Sequence, residues 1–277
     1  MARVTEDVLS RTLRILQHES GHRAASDDVL LAWATADALP EAREVLDLGS
    51  GTGSNLRYLA PRLPSGQTWV LVDHDPAHVR TLRGMARPER VQSLTVSPKN
   101  LAAQDLEEAA DTDLVTASAL LDLTSAGWLE RVVTACVASD CGVLCALSYD
   151  GRIEWASGDE HPDDRFVRDA VNVHQTGDKG FGPALGPAGG QLAERRFRAA
   201  GYQTLFQESA WRLEVSQHRA LVGRLIDGWE QAASAVRPAE VARIRGWADG
   251  RRAGVATGRS SLMVGHHDLL ALPPARS

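Results

Sequence analysis

The sequence predicts an α/β protein built on a doubly wound, largely parallel sheet. Three observations carry that expectation. From residue 44 onward, apolar runs of strand length alternate with segments of helical period; a glycine-rich turn, Gly49-Ser50-Gly51-Thr52-Gly53, joins the first such strand to its helix; and the next strand ends in acids, Asp73-His74-Asp75.

The elements follow in order. Residues 4–18 carry a helical apolar period (Val4, Val8, Leu9, Leu13, Leu16), and SDDVLLAWATADAL reads as a second helix capped by Ser26, so residues 1–43 are expected as N-terminal helices forming a lid. EVLDL is the first core strand and WVLVDHDP the second. AHVRTLRGMA is helix, VQSLTVS and DLVTASALL are strands, AGWLERVVTACVA is helix and GVLCALSYD is strand, which sets a core at 44–150. Residues 151–190 form a long excursion in which DDRFVRDAVNVH has helical spacing. The remainder, 191–277, holds a helix (GGQLAERRFRAAGY), a strand (SAWRLEV), a helical insertion at 217–252 and a last apolar strand, SLMVGHHDLLAL.

Composition narrows the function. With 277 residues, 43% of them hydrophobic, the chain can bury a sizeable core, and its net charge of −6 argues against a surface built to neutralise nucleic-acid phosphates. MARVTEDVLSRTLRILQHES has no apolar run of signal-peptide length and no segment approaches a membrane span, so a cytoplasmic protein without a membrane partner is expected. Cys136, Cys141 and Cys145 lack zinc-site spacing and read as buried free thiols. His18-Glu19-Ser20-Gly21-His22 spells HExxH, yet Gly21 sits inside the motif and no third ligand is evident, so no metal is expected. His266 and His267 fall on opposite faces of one strand and cannot form a pair, while Trp211, Trp229 and Trp247 read as packing anchors.

The glycine turn alone fits several nucleotides, but GSGTGSN lacks the third glycine at dinucleotide spacing, and Asp47 stands two residues before the first glycine. VLDLGSGTG, VLVDHDPAHV and DLVTASALLDL resemble the first, second and fourth motifs of the class I S-adenosylmethionine (SAM)-dependent methyltransferases, in order and at family spacing. The resemblance implies a Rossmann-like, seven-stranded sheet whose seventh strand is antiparallel. It implies SAM as cofactor and S-adenosylhomocysteine (SAH) as product. Gly49, Gly51 and Gly53 would line the methionine end with Asp47, Ser50 and Asn55 beside them, Asp73 would hold the ribose, and His74 would lie against the adenine. Asn100 falls where the family usually has an acid for the adenine amino group; Leu101 follows it, and Ser118 ends the fourth strand. GHRAASDDVLLA resembles the segment that precedes the turn in tRNA adenine-N6 methyltransferases, which would pair Arg23 with the SAM carboxylate. Those enzymes carry an Asn-Pro-Pro-Tyr type motif where this chain has ASALLDL, so a nucleobase acceptor is disfavoured.

The acceptor is expected beyond the carboxyl ends of the strands, where Asp122 follows the fourth and Tyr149 and Asp150 close the fifth. HQTGDKGFGPALGPAGG, residues 174–190, would cover that mouth. Lys99 and Lys179 are the only lysines, and Lys179 is crowded with His174, Gln175 and Asp178 at the start of the loop. His174 or Asp122 could remove a proton, and Lys179 with Asp178 could hold an anionic group of the substrate; the alternative is a local Asp178–Lys179 ion pair and a helix-capping His174. The loop resembles that of a bacterial subgroup of the family, which implies fold and cofactor without naming an acceptor. A small-molecule methyltransferase is therefore expected, with room for a homodimer. A non-methylating SAM enzyme, a non-catalytic scaffold and an RNA methyltransferase stay as alternatives.

Overall fold

The computed structural model describes residues 35–258 and 260–274. The expected N-terminal helices up to residue 34, Arg23 and the HExxH stretch lie outside the described residues. After a helical turn at 35–38, the chain forms β1 (Glu44–Leu48), α1 (Ser54–Leu59), β2 (Gln67–Val72), α2 (Pro76–Arg83), β3 (Val91–Ser97), β4 (Leu114–Ser118), α3 (Ala126–Ser139) and β5 (Gly142–Trp155). Then come α4 (Asp164–Gln175), α5 (Gly189–Ala199), β6 (Gln203–Glu208), β7 (Trp211–Glu214), α6 (Val215–Val236), α7 (Val241–Thr257) and β8 (Ser261–Leu272).

One sheet runs in the order β3-β2-β1-β4-β5-β8-β6, with β7 also on β8. The first five strands pair in parallel, and β8 is antiparallel to β5, β6 and β7. Because β6 and β7 lie end to end along β8, the eight strands make seven sheet positions, the expected doubly wound layout. Central β1 is buried from Val45 to Leu48, as a parallel strand covered by helices on both faces must be. The helix ends follow local chemistry: Asp75 caps α2 by accepting the Ala77 amide at 2.7 Å with Pro76 at the first helical position, and Ser125 caps α3 by accepting the Trp128 amide at 3.3 Å. At its far end α3 closes on Asp140, at φ 54°, with the Cys141 amide donating to the Cys136 carbonyl at 3.3 Å. All three cysteines are free and buried.

Two sequence expectations need correction. β6, QTLFQE, was not foreseen, because it is a largely exposed edge strand with little apolar alternation. β5 does not stop at Asp150. Only Gly142–Ala146 pair with β4; beyond them the strand continues as a ribbon with β8 to Trp155, so the expected boundary at 150 falls inside a strand. The ribbon bends where its register breaks, at Leu147 (φ 57°) and near Gly151 (φ 93°). Buried Asp268 on β8 satisfies both this break and the gap between β6 and β7, accepting the Leu147 amide at 2.7 Å and the Ser209 hydroxyl at 2.5 Å.

The projecting ribbon carries a cap. Tyr149, Ile153, Trp211, Leu213 and Val264 pack with Val167 and Val171 of α4, Trp229 of α6 and Trp247 of α7 in one apolar cluster, so the helical insertion, Val215–Thr257, shares a core with the excursion. Arg251 of α7 is buried in this junction. Its Nε donates to Asp164 Oδ1 at 3.0 Å, its Nη1 to the Asp159 carbonyl at 2.7 Å, and its guanidinium lies 4.0 Å from the centre of the Trp155 ring. The cluster of the cap includes Ala146 and Leu147 of β5 and packs against Ala119, at the carboxyl edge of the parallel strands, where this topology leaves its ligand crevice.

Candidate functional site

The first half of the site is the edge formed by β1 and β2. Gly49, Gly51 and Gly53 adopt φ of 67°, 55° and 81°, conformations that a side chain would strain. The turn is held from both sides: the Ser50 hydroxyl donates to the Asp47 carbonyl at 2.8 Å and the Ser50 amide to the Val72 carbonyl at 3.0 Å. Asn55 Nδ2 bridges Asp47 Oδ1, at 2.8 Å, and Thr116 Oγ1, at 3.0 Å, so Asp47 and Asn55 brace the turn from within. Asp73, at the end of β2, accepts the Gly51 amide at 2.8 Å on one oxygen and the Asp75 amide at 2.9 Å on the other. His78 Nδ1 lies 3.3 Å from both oxygens. Burial would raise the Asp73 carboxyl, but the His78 contact and the two amides outweigh it and hold the group below the usual carboxylate range. An ionised carboxylate with lone pairs beyond these bonds suits a pair of hydroxyls, and the open glycine backbone suits close approach, so these residues fit a nucleoside cofactor. His78 was read from sequence only as part of a helix; its spacing from two preceding acids was the signal for its role.

Around this edge, His74 is exposed immediately after Asp73, and exposed Asn100 turns its Oδ1 to the Ala102 amide at 3.0 Å. Leu101 is buried. Ser118 ends β4 half-buried, and the next residue, Ala119, takes φ 54° with its amide on the Ala146 carbonyl at 2.9 Å. Ala119, just past the end of β4, and Leu147, on the neighbouring β5, are thus two non-glycine residues in the left-handed region at the carboxyl edge, the kind of strain that collects at functional sites.

The second half gathers side chains from three elements. Asp122 sits in the short 3-10 turn Leu121–Leu123 after β4 and is buried. Burial pushes its carboxyl up to about 7, although its own amide, the Tyr149 amide and the Lys179 charge all favour the ionised form. α5 begins directly on this turn: a Cβ at Gly189 would stand 3.0 Å from the Leu121 carbonyl, tighter than ordinary van der Waals contact. Lys179 reaches in from the loop after α4 and places Nζ 3.3 Å from Nδ1 of His174 in the last turn of that helix. An ammonium has only protons to give, so Nδ1 accepts and the ring proton sits on Nε2. Burial lowers both groups, with Lys179 further lowering His174 and Asp122 partly restoring Lys179.

The glycine-rich loop is compact. Its ends meet where Gly186, at φ 54°, packs against Gln175 and Thr176, and Asp178 Oδ1 accepts the amides of Gly180 at 2.7 Å and Gly182 at 3.0 Å. Asp178, expected at the substrate, is therefore exposed and turned to its own loop, and it pairs with backbone rather than with Lys179. Phe181 anchors the loop against Trp128, a contact the sequence did not disclose. Asp150, also expected at the substrate, turns to Arg152, whose Nε and Nη2 lie 2.8 and 2.6 Å from Oδ2. Tyr149 donates its hydroxyl to Asn172 Oδ1 on α4 at 2.8 Å. On β8, His266 packs on Trp211 and Tyr149, while His267 stacks on Phe206.

Among the described residues no helix is long and apolar enough to cross a membrane, and no group of three or more His, Cys, Asp or Glu could hold a metal ion. Residues 45–139 match the family model described as a methyltransferase domain. No curated protein matches the chain. Among solved structures, YcgJ from Bacillus subtilis is similar at 13% identity, covering 90% of this chain and 99% of that one with a TM-score of 0.53. A putative type II methyltransferase from Anaeromyxobacter dehalogenans is similar at 17% identity over 88% of this chain and 95% of its own, also with a TM-score of 0.53. At these identities the likeness shows the fold.

Proposed function

We propose that this chain, whose residues 45–139 match the family model of a methyltransferase domain, is a SAM-dependent enzyme that methylates a small molecule carrying an anionic group. The observation behind this reading is the Lys179 ammonium, 3.3 Å from His174 and in electrostatic contact with buried Asp122, at the carboxyl edge of the sheet. When bound, SAM supplies a methyl group already activated on a sulfonium. The glycine turn at 49–53 and Asp73 would hold the nucleoside and methionine ends, with Leu101 beside the base. For a hydroxyl or ammonium acceptor, a bond forms between acceptor and methyl, the bond to sulfur breaks, and the acceptor proton must leave.

Asp122 suits that last task, because a carboxyl poised near neutrality can take a proton at working pH and release it afterwards. Neutral His174, with its proton on Nε2, holds the Lys179 ammonium through Nδ1. Lys179 in turn offers its remaining N–H groups to a carboxylate or phosphate, which its half-buried position strengthens relative to water. The cap helices and the 176–186 loop would keep solvent from the acceptor.

The test measures SAH release from SAM across carboxylate- and phosphate-bearing small molecules and their esters. Acceptors should come from the charged set, and Lys179→Met should abolish their use while leaving SAH affinity within about threefold. Equal use of esters, or full activity in Lys179→Met, would defeat the reading.

A further inference from the structure

One side chain touches both halves of the site. Trp128, in the first turn of α3, is 2% exposed. Its Nε1–H donates to the Leu101 carbonyl at 2.9 Å, and its ring meets Phe181 edge-on, with centroids 5.5 Å apart and planes at 73°. One turn along the same helix, Arg131 Nη2 adds bonds to the carbonyls of Leu101, at 3.3 Å, and Ala102, at 3.0 Å. The post itself is firm: the Ser125 cap fixes the start of α3, and Leu129, Val132 and Val133 bury its inner face.

What the post connects is specific. Leu101 lies beyond the carboxyl end of β3, on the side proposed for the adenine. Phe181 stands two residues from Lys179 in a loop that Asp178 keeps compact, so seating the phenyl ring seats the ammonium. A packed indole bonded on one side and stacked on the other transmits displacement, because neither contact survives a large movement of its partner.

We infer that Trp128 and Phe181 are positioning residues that couple the two sites: an occupied cofactor site steadies Leu101, and through Trp128 this seats Phe181 and places Lys179 for the acceptor. The inference rests on the cofactor reading above and goes beyond it by setting an order, cofactor before acceptor. Coupling of this kind is reciprocal, so an acceptor held by Lys179 must tighten cofactor binding by the same factor.

Hydrogen exchange on the full chain tests it, following amides of residues 176–184 with and without SAH, while calorimetry reports SAH affinity. In the wild type, SAH should slow exchange in this segment by roughly fivefold or more. Phe181→Ala should bind SAH within about threefold of wild type yet lose that slowing, and Phe181→Tyr, which keeps the ring, should regain it. Slowing that persists in Phe181→Ala would mean that SAH protects the loop directly and would overturn the coupling, as would a wild-type loop indifferent to bound SAH. Failure of SAH to bind the wild type would instead remove the cofactor reading, and the coupling with it.

Discussion

The carboxylate of Asp73 accepts the backbone N–H of Gly51 at 2.8 Å, so the acid that ends β2 and the turn that follows β1 form one hydrogen-bonded unit. Asp73→Ala would remove two charge-assisted bonds to the backbone, at Gly51 and Asp75, together with the proposed grip on the ribose. With each bond to a charged group contributing about 1.5–3 kcal/mol, SAH affinity should fall roughly 100-fold or more. Asp73→Asn, which keeps one acceptor oxygen, should fall between the two. Calorimetry decides; an Asp73→Ala protein that binds SAH as the wild type does would remove Asp73 from the site.

Buried Asp122 should weaken the fold at neutral pH, and its removal should reveal by how much. Burial pushes its carboxyl up to about 7 in the folded chain from an ordinary value of 3.8, so between those values the native state holds a proton that the unfolded state has released. Stability therefore declines as pH rises through this window, by up to about 4 kcal/mol at the level of 1.36 kcal/mol per pKa unit. Relative to wild type, Asp122→Asn should gain about 2 kcal/mol between pH 5.5 and pH 8 in urea unfolding. A difference that stays constant with pH would show that Asp122 titrates normally.

His266 should act in the opposite direction. Burial against Tyr149 and Trp211 lowers it to about 4 from 6.5, despite the pull of Asp150 and the Val264 carbonyl toward the charged form, with His267 and Arg152 adding to the lowering. Below 6.5 the unfolded chain takes up a proton that the native chain refuses until about 4, so stability falls as pH falls across that window. The loss amounts to about 3 kcal/mol by pH 4. His266→Phe should flatten this acid limb, as measured by the melting temperature at pH 7 and pH 4.5. An unchanged slope would place the acid sensitivity elsewhere.

The sequence by itself determined what depends on a few neighbouring residues. The 49–53 turn was legible because glycines accept its dihedral angles without strain, and Ser261–Leu272 because its strand is unbroken and apolar. Its place after the fourth strand singled out Asp122, and residue type singled out His174 and Lys179, since a scarce lysine crowded with histidine, aspartate and glycine is unusual in a loop. Packing alone decided where each side chain points. It joined Lys179 to His174 and Asp122, turned Asp150 to Arg152 and Asp178 to its own loop, carried β5 past the sheet edge along β8, and set Trp128 between Leu101 and Phe181. Those partners come from elements far apart in the chain, and their meeting depends on how whole helices and strands bury their apolar faces. No local dihedral preference or periodicity records that arrangement.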